Sequence, residues 1–333
     1  MTADLRAFGL AVGHATDSEG ATGLTVIRGN DGPLRAGAAI FGRATGTREL
    51  HTLAPDHLVD RIDALLLTGG SAYGLDAAAG VMRWMEERGR GFQVPGGVVP
   101  IVPAAVIFDL APLGRFDARP TTAMAYEACE SASPTNITEG SVGVGMGATV
   151  GKIAGPESAM KGGFGCAVEE SGAWCVGAMA VVNALGDVRD GAGRIIAGAR
   201  LAGITNGGAL RFLDATRVLA EGGSGIRTAR LDDTVGVNTT LCVVATNVPL
   251  SRGDLTQLAR ASGAALFRRI SPAGTSVDGD VVFALSPVGA FAPLGANATA
   301  LEALAVTALE SAIERAVRSA HGRQGIPGLA DYA

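Results

Sequence analysis

The sequence is poor in aromatic and charged residues, which make up 5% and 18% of its 333 residues. It contains no long basic run, and its formal net charge is −5. These two features argue against nucleic acid and anionic membranes as partners. No stretch approaches the roughly twenty apolar residues that a membrane helix needs, and residues 1–14 lack the apolar core of a signal peptide. We therefore expect a cytoplasmic protein without a membrane anchor.

Cysteine and histidine are also scarce, with four of each. The spacing of the cysteines fits neither a zinc site nor a disulfide framework, so we expect small buried side chains and no metal or cofactor. The histidines follow no strand-end signature and the chain has no G-x-S-x-G turn, which argues against a Ser-His-Asp triad. The residues concerned are Cys129, Cys166, Cys175 and Cys242, and His14, His51, His57 and His321.

Glycine and apolar residues are abundant, with 49 glycines and 47% hydrophobic residues. This composition favours layered α/β packing, in which backbones approach closely. The length allows one large domain or two modest ones. Strands and helices do not alternate in a regular βαβ order, so we expect mixed sheets with helices outside. The clearest predicted strands are residues 63–67, 173–183, 239–246 and 280–286, and the clearest predicted helices are residues 75–87, 121–133, 252–263 and 301–320.

A glycine-rich run at residues 140–151 precedes Lys152 and at first suggests a phosphate-binding loop. The Walker A pattern, however, requires glycine where this chain has Met146, and Ser or Thr where it has Ile153. The glycines instead indicate that two backbones come close and that Lys152 points inward. The ordinary alternative is a solvated surface lysine, which the surrounding glycine and apolar residues make less attractive.

A hydroxyl residue starts one of the predicted core strands, at the junction Asn238-Thr239. The strand follows a polar, glycine-rich stretch at residues 221–233. We hypothesise that the chain cuts itself here and that Thr239 becomes an N-terminal nucleophile. Such a residue needs no histidine, because its α-amino group has a reference pKa of about 7.7–8.0 and can accept the hydroxyl proton. Asn-Thr dipeptides are common, and this one alone would be read as structural.

Three further polar residues give the hypothesis support. Asp278 and Asp280 flank a glycine at the start of a predicted strand, so both carboxylates are expected on one side. Asn183 ends a predicted buried strand and offers a side-chain NH₂ donor for an oxyanion. Taken singly, the first two are typical of an Asp-Gly turn and the third of a cap or turn.

Seven segments form an ordered set of motifs along the chain: residues 12–17 (Val-Gly-His-Ala-Thr-Asp), 21–27 (Ala-Thr-Gly-Leu-Thr-Val-Ile), 67–78 (Leu-Thr-Gly-Gly-Ser-Ala-Tyr-Gly-Leu-Asp-Ala-Ala), 99–110 (Val-Pro-Ile-Val-Pro-Ala-Ala-Val-Ile-Phe-Asp-Leu), 140–152, Asn238-Thr-Thr, and 278–284 (Asp-Gly-Asp-Val-Val-Phe-Ala). Together they resemble the L-aminopeptidase/D-esterase (DmpA-like) family over nearly the whole chain. This family includes β-peptidyl aminopeptidases and 6-aminohexanoate-oligomer (nylon oligomer) hydrolases.

The resemblance implies an α/β fold: a four-layer αββα sandwich with mixed sheets, related to ornithine acetyltransferase. It implies one domain over residues 1–333 that is processed into an α subunit, residues 1–238, and a β subunit, residues 239–333. The two pieces then assemble as a homo-oligomer, often a tetramer of αβ units, and act on small peptides or amide oligomers. The catalytic residues that the resemblance implies are Thr239, Lys152, Asn183, Asp278 and Asp280.

Two departures from the family bear on activity. Some relatives use a serine nucleophile with a Ser/Glu pair, whereas this chain has the Thr/Asp set. The nylon-oligomer hydrolases have an active-site tyrosine where this chain has Phe108, which cannot donate a hydrogen bond. We expect Phe108 and Tyr73 to line the substrate pocket. Two alternatives remain: an acyltransferase of the ornithine acetyltransferase type, and an uncleaved, non-catalytic member of the fold.

Overall fold

The computed structural model describes residues 3–201, 210–222, 237–289 and 297–332. Most of the polar stretch at residues 221–233 lies outside these ranges. The strands within them are β1 (Leu10–Asp17), β2 (Thr22–Gly29), β3 (Leu34–Ile40), β4 (Thr47–Arg48), β5 (Ala64–Thr68), β6 (Phe92–Val94), β7 (Gly97–Val99), β8 (Ala104–Val106), β9 (Thr149–Val150), β10 (Met160–Lys161), β11 (Gly163–Ser171), β12 (Trp174–Asn183), β13 (Asp187–Arg189), β14 (Ile195–Ala197), β15 (Thr239–Thr246), β16 (Ile270–Ser271) and β17 (Val281–Pro287). The α-helices are α1 (Ala78–Glu86), α2 (Thr122–Ser131), α3 (Ala215–Ala220), α4 (Arg252–Ser262), α5 (Ala264–Arg269) and α6 (Ala298–Arg318).

Two five-stranded sheets form the centre of the fold. The first has the order β1-β2-β5-β8-β4 and the second has the order β11-β12-β15-β17-β3. Each sheet contains one parallel pair, β5 with β8 and β15 with β17, among antiparallel neighbours. The mixed sheets predicted from the sequence are therefore confirmed, and β15 is the central strand of the second sheet.

The two sheets pack face to face through alternate residues of their strands. Leu65 and Leu67 of β5 share one core cluster with Leu241 and Val243 of β15. The residues between them face the opposite way, because successive side chains of a strand point to opposite faces. Val244, for example, belongs to the cluster on the outer side of its sheet. Both faces of these strands are buried, which explains their nearly continuous apolar sequence.

Helices cover the outer face of each sheet. Helices α1 and α2 pack on the first sheet, α4 and α6 pack on the second, and α5 packs against α6. Helix α6 packs so closely on β11 that position 165 must be glycine, because a Cβ on Gly165 would lie 2.1 Å from the Ala312 carbonyl oxygen. The layers therefore run helix, sheet, sheet, helix, which confirms the four-layer sandwich.

The remaining expectations from the sequence concern the cysteines, metal sites and membrane-spanning helices. All four cysteines are buried, as predicted. In the described parts of the chain, no group of His, Cys, Asp and Glu side chains has the arrangement of a metal site. None of the helices described is both long enough and apolar enough to cross a bilayer.

Candidate active site

The ends of three neighbouring strands lie on the same side of the second sheet and bring the predicted residues together. Strand β15 is parallel to β17, so both begin on that side of the sheet, and antiparallel β12 ends there. In the register of β12 and β15, Asn183 lies directly opposite Thr239. A parallel bridge pairs Asn238 with Asp278 just before the two strands begin. The strand directions thus explain why residues so far apart in sequence share one site.

The Asn238-Thr239 peptide is buried, with the two residues 0% and 4% exposed. The Thr239 hydroxyl donates a hydrogen bond to the Asn238 carbonyl oxygen over 2.7 Å. The backbone N–H of Gly279 donates to the same oxygen over 2.8 Å. A side chain at position 279 would not fit, since its Cβ would lie 2.6 Å from the Thr239 hydroxyl oxygen.

Asn183 is completely buried and uses both ends of its amide. Its Oδ1 accepts hydrogen bonds from the Thr149 backbone N–H over 3.1 Å and from Lys152 Nζ over 2.9 Å. Its Nδ2 donates to the carbonyl oxygens of Phe108, over 3.1 Å, and Val237, over 3.2 Å. In the uncut chain, the donor predicted for an oxyanion therefore contacts the carbonyl that precedes the Asn238 carbonyl.

Lys152 lies in a tight turn after β9 and is 8% exposed, so the surface-lysine alternative is wrong. Gly151 makes the turn possible: its φ is +70°, and a Cβ there would lie 2.1 Å from the Ala199 nitrogen. The ammonium donates to Asn183 Oδ1 and to the Val237 carbonyl, the latter over 3.2 Å. Burial lowers the pKa of Lys152 to about 7, although Asp278 and Asp280 act to raise it.

The two carboxylates hold the loop that leads into β17. Asp280 accepts hydrogen bonds from the backbone N–H groups of Thr240, over 2.6 Å, and Gly274, over 2.8 Å. Asp278 accepts from the backbone N–H and the hydroxyl of Thr275, over 2.9 and 2.6 Å. Burial, followed by the charge of Asp278, raises the pKa of Asp280 to about 7. The pair fixes the position of Gly279, which lies between its members.

Because its pKa is raised, Asp280 should make the free energy of unfolding depend on pH. Between its usual pKa of about 3.9 and about 7, the folded chain binds a proton that the unfolded chain has lost, so stability falls as pH rises through this window. We expect the stability of the wild-type residue relative to Asp280→Asn to fall from pH 4 to 7, by up to about 1.4 kcal/mol per pH unit.

Urea unfolding at several pH values, with both chains carrying Thr239→Ala so that each stays in one piece, measures this difference. Asp117→Asn is the matched control, because the Asp117 side chain is 82% exposed. A stability difference between Asp280 and its Asn variant that does not change from pH 4 to 7 contradicts the prediction.

The structure places the two predicted pocket residues differently. Phe108 is partly buried at the site and contributes its backbone carbonyl to Asn183. Tyr73 is 53% exposed and packs against the Phe116 ring, with the Arg119 guanidinium 3.5 Å from its ring centre. A role for either side chain in binding substrate stays a prediction.

Two buried charged residues near the site were not found from the sequence. Lys161 donates to three carbonyls of the glycine-rich run, those of Gly145, Met146 and Ala148. Burial lowers the pKa of Lys161 to about 7. Asp109, next to Phe108, accepts from Thr22 and Gly70, and burial raises its pKa to about 6.

A compositional signal marks both buried ammonium groups. Lys152 and Lys161 are the two lysines of the whole sequence, while all its other basic side chains apart from histidine are arginines. Arginine stays charged in proteins, whereas the pKa of a buried lysine falls readily. The use of lysine at only these two positions therefore indicates buried amines.

Comparisons with known proteins identify the family of the chain. The sequence profile of peptidase family S58 matches residues 6–330. A Mycobacterium tuberculosis protein named uncharacterized aminopeptidase is 40% identical over 329 residues, which cover 93% of this chain and 90% of the relative. The 6-aminohexanoate-oligomer endohydrolase of a Kocuria species is 31% identical over 326 residues, which cover 93% of this chain and 84% of that enzyme.

Solved structures share the fold at low sequence identity. A beta-aminopeptidase from a Burkholderia species has a TM-score of 0.67 at 20% identity, covering 97% of this chain and 91% of its own. The L-aminopeptidase D-Ala-esterase/amidase of Ochrobactrum anthropi, described as a variant of the Ntn hydrolase fold, has a TM-score of 0.68 at 20% identity, covering 95% and 86%. The chain therefore belongs to peptidase family S58, and it is a peptide-bond hydrolase with an Ntn-type fold.

Proposed function

We propose that the chain cuts itself between Asn238 and Thr239 and then hydrolyses amide bonds with Thr239 as an N-terminal nucleophile. The observation that carries the proposal is the contact between the Thr239 hydroxyl and the Asn238 carbonyl oxygen, 2.7 Å apart at the start of the central strand. The hydroxyl thus lies beside the carbonyl that it must attack. Lys152, Asn183 and the two Asp residues surround this peptide.

Cleavage converts Thr239 into a nucleophile that carries its own base. The new α-amino group, with a reference pKa of about 7.7–8.0, accepts the hydroxyl proton while Oγ attacks the substrate carbonyl. Asn183 Nδ2 holds the oxygen of the tetrahedral intermediate, and Lys152 stabilises its charge. Asp278 and Asp280 keep the loop and the new amine in place. The intermediate collapses as the substrate C–N bond breaks, and the leaving amine takes the proton held by the α-amino group. Water then hydrolyses the acyl ester on Oγ, which restores the Thr239 hydroxyl.

The relatives suggest the class of substrate. Because they are named aminopeptidase and 6-aminohexanoate-oligomer endohydrolase, we propose that this enzyme cleaves small peptides or amide oligomers. Phe108 supplies no hydroxyl to such a substrate, which favours peptides over nylon oligomers. We further propose that residues 1–238 and 239–333 stay together after the cut and assemble into a cytoplasmic homo-oligomer.

A time course of intact masses tests self-cleavage directly. Freshly purified wild-type protein is expected to change from one chain into two, the smaller beginning at Thr239. The reaction should proceed at the same rate when the protein is diluted, because cutting within one chain is a first-order process. A chain that remains whole after prolonged incubation overturns the proposal and leaves the non-catalytic alternative. A cut enzyme that transfers acyl groups to an amine faster than to water supports the acyltransferase alternative.

A further inference from the structure

Two neighbouring carbonyl groups at the cut site have different hydrogen-bond donors. The Val237 oxygen accepts from the side chains of Asn183 and Lys152, each over 3.2 Å. The Asn238 oxygen, on the carbonyl that self-cleavage attacks, accepts from the Gly279 backbone N–H over 2.8 Å. The side chains proposed to serve turnover are therefore one residue out of position to serve self-cleavage.

We propose that self-cleavage and turnover use different oxyanion donors, and that the uncut chain blocks the second set with its own Val237 carbonyl. Gly279 N–H serves self-cleavage, and Asn183 Nδ2 serves turnover once Val237 has left. The inference rests on the proposed function and divides it into two steps that can be measured separately. It makes Gly279 a catalytic residue that acts through its backbone.

Self-cleavage consumes one water molecule and needs no other reagent. Thr239 Oγ bonds to the Asn238 carbonyl carbon, and the electron pair of the C=O bond moves to the oxygen, where Gly279 N–H holds it. The C–N bond then breaks, and the hydroxyl proton ends on the nitrogen as part of a free amine. Water hydrolyses the resulting ester, giving a carboxylate at Asn238 and restoring the Thr239 hydroxyl.

The same contacts explain why the uncut site is closed to substrate. Asn183 is 0% exposed and Lys152 is 8% exposed, and the Val237 carbonyl accepts a hydrogen bond from the side chain of each. After the cut, Val237 and Asn238 form the free end of the first piece and can withdraw. Their departure frees one N–H of Asn183 Nδ2 and one N–H of Lys152 Nζ for the oxygen of a substrate.

Asn183→Ala is the variant that separates the two steps. We expect its self-cleavage rate to stay within about fivefold of wild type, while turnover per cut site falls by about 10²–10³, the usual effect of losing one oxyanion donor. Asn247→Ala is the matched control, since Asn247 follows the far end of β15 and its Oδ1 accepts from the Cys175 N–H. It should change neither rate.

Gly279→Ala tests the backbone donor that we propose for self-cleavage. Its Cβ would lie 2.6 Å from the Thr239 hydroxyl oxygen and 2.8 Å from the Ala44 carbonyl oxygen, so the N–H and the hydroxyl must move apart. We expect self-cleavage to slow by at least about 10²-fold, in protein whose circular dichroism matches that of uncut Thr239→Ala.

Three results distinguish this inference from the proposed function. Gly279→Ala that cuts at the wild-type rate overturns the inference, whether or not the Asn183 variant folds. Folded Asn183→Ala in which cutting slows as much as turnover overturns it as well. Wild-type protein that never cuts overturns the proposed function itself, and that result is read without either variant.

Discussion

A Thr239→Ala chain is expected to remain a single polypeptide and to hydrolyse no substrate. The substitution removes the hydroxyl that lies 2.7 Å from the Asn238 carbonyl oxygen, so neither self-cleavage nor acyl transfer has a nucleophile. The fold should survive, because β15 keeps its ladder partners β12 and β17 and its buried apolar residues. Denaturing gels with intact masses, and release of a chromophore from aminoacyl anilides, measure the two losses.

Thr239→Ser is the control for that loss. Serine keeps a hydroxyl on Cβ and lacks only the methyl group, so cutting and turnover should persist, although a less restricted side chain will be slower to adopt the reactive rotamer. If Thr239→Ala is cut at the same bond, or if it turns over substrate while intact, Thr239 is not the nucleophile.

Lys152→Met should reduce turnover per cut site by about 10²–10³, the loss also expected of Asn183→Ala. Methionine fills a similar volume but cannot donate to Asn183 Oδ1, which Lys152 Nζ contacts at 2.9 Å. It also removes the one ammonium group that contacts Asn183 in the described chain. Lys152→Arg should not restore activity, because a planar guanidinium does not replace a compact ammonium in a buried site.

Lys161→Met is the matched comparison for Lys152→Met. It also deletes a buried lysine, but one whose Nζ contacts backbone carbonyls of the glycine-rich run. Unsatisfied carbonyls lower stability, so we expect a lower melting temperature and a much smaller loss of turnover per cut site. Lys152→Met enzyme that folds, cuts and keeps kcat/KM within about threefold of wild type would exclude Lys152 from the chemistry proposed here.

The central strands were predictable because their sequence carries a strong local signal. The strand predicted at residues 239–246 is β15 with the same bounds, and the strand predicted at residues 173–183 is β12, which begins one residue later and ends at the same residue. Strands buried on both faces need continuous apolar, β-branched residues, and few other elements have that composition. The resemblance to a known family, carried by ordered motifs, supplied the four-layer arrangement that the local signals could not.

Helix boundaries were less well predicted where backbone packing decides them. Residues 75–87 were predicted as one helix, but the α-helix begins at Ala78, and a tighter 3₁₀ segment occupies Ser71–Ala77. Gly74 lies against the Gly69 carbonyl oxygen, which its missing Cβ would otherwise approach within 1.9 Å. The periodic spacing of apolar residues does not reveal such a close backbone contact, so it could not show where the α-helix begins.

The sequence by itself determined the types and order of the residues at the site: a hydroxyl at a strand start, an Asn at a strand end, an Asp-Gly-Asp turn, and a rare lysine after a glycine run. The tertiary structure alone decided which atoms meet. The parallel pairing of β15 with β17 brings the Gly279 N–H to the Asn238 oxygen, which the Thr239 hydroxyl also contacts, while the end of β12 directs Asn183 to Val237. Every residue except proline carries a backbone N–H, so a backbone donor leaves no trace in the sequence, and only strand register shows which one faces the reacting bond.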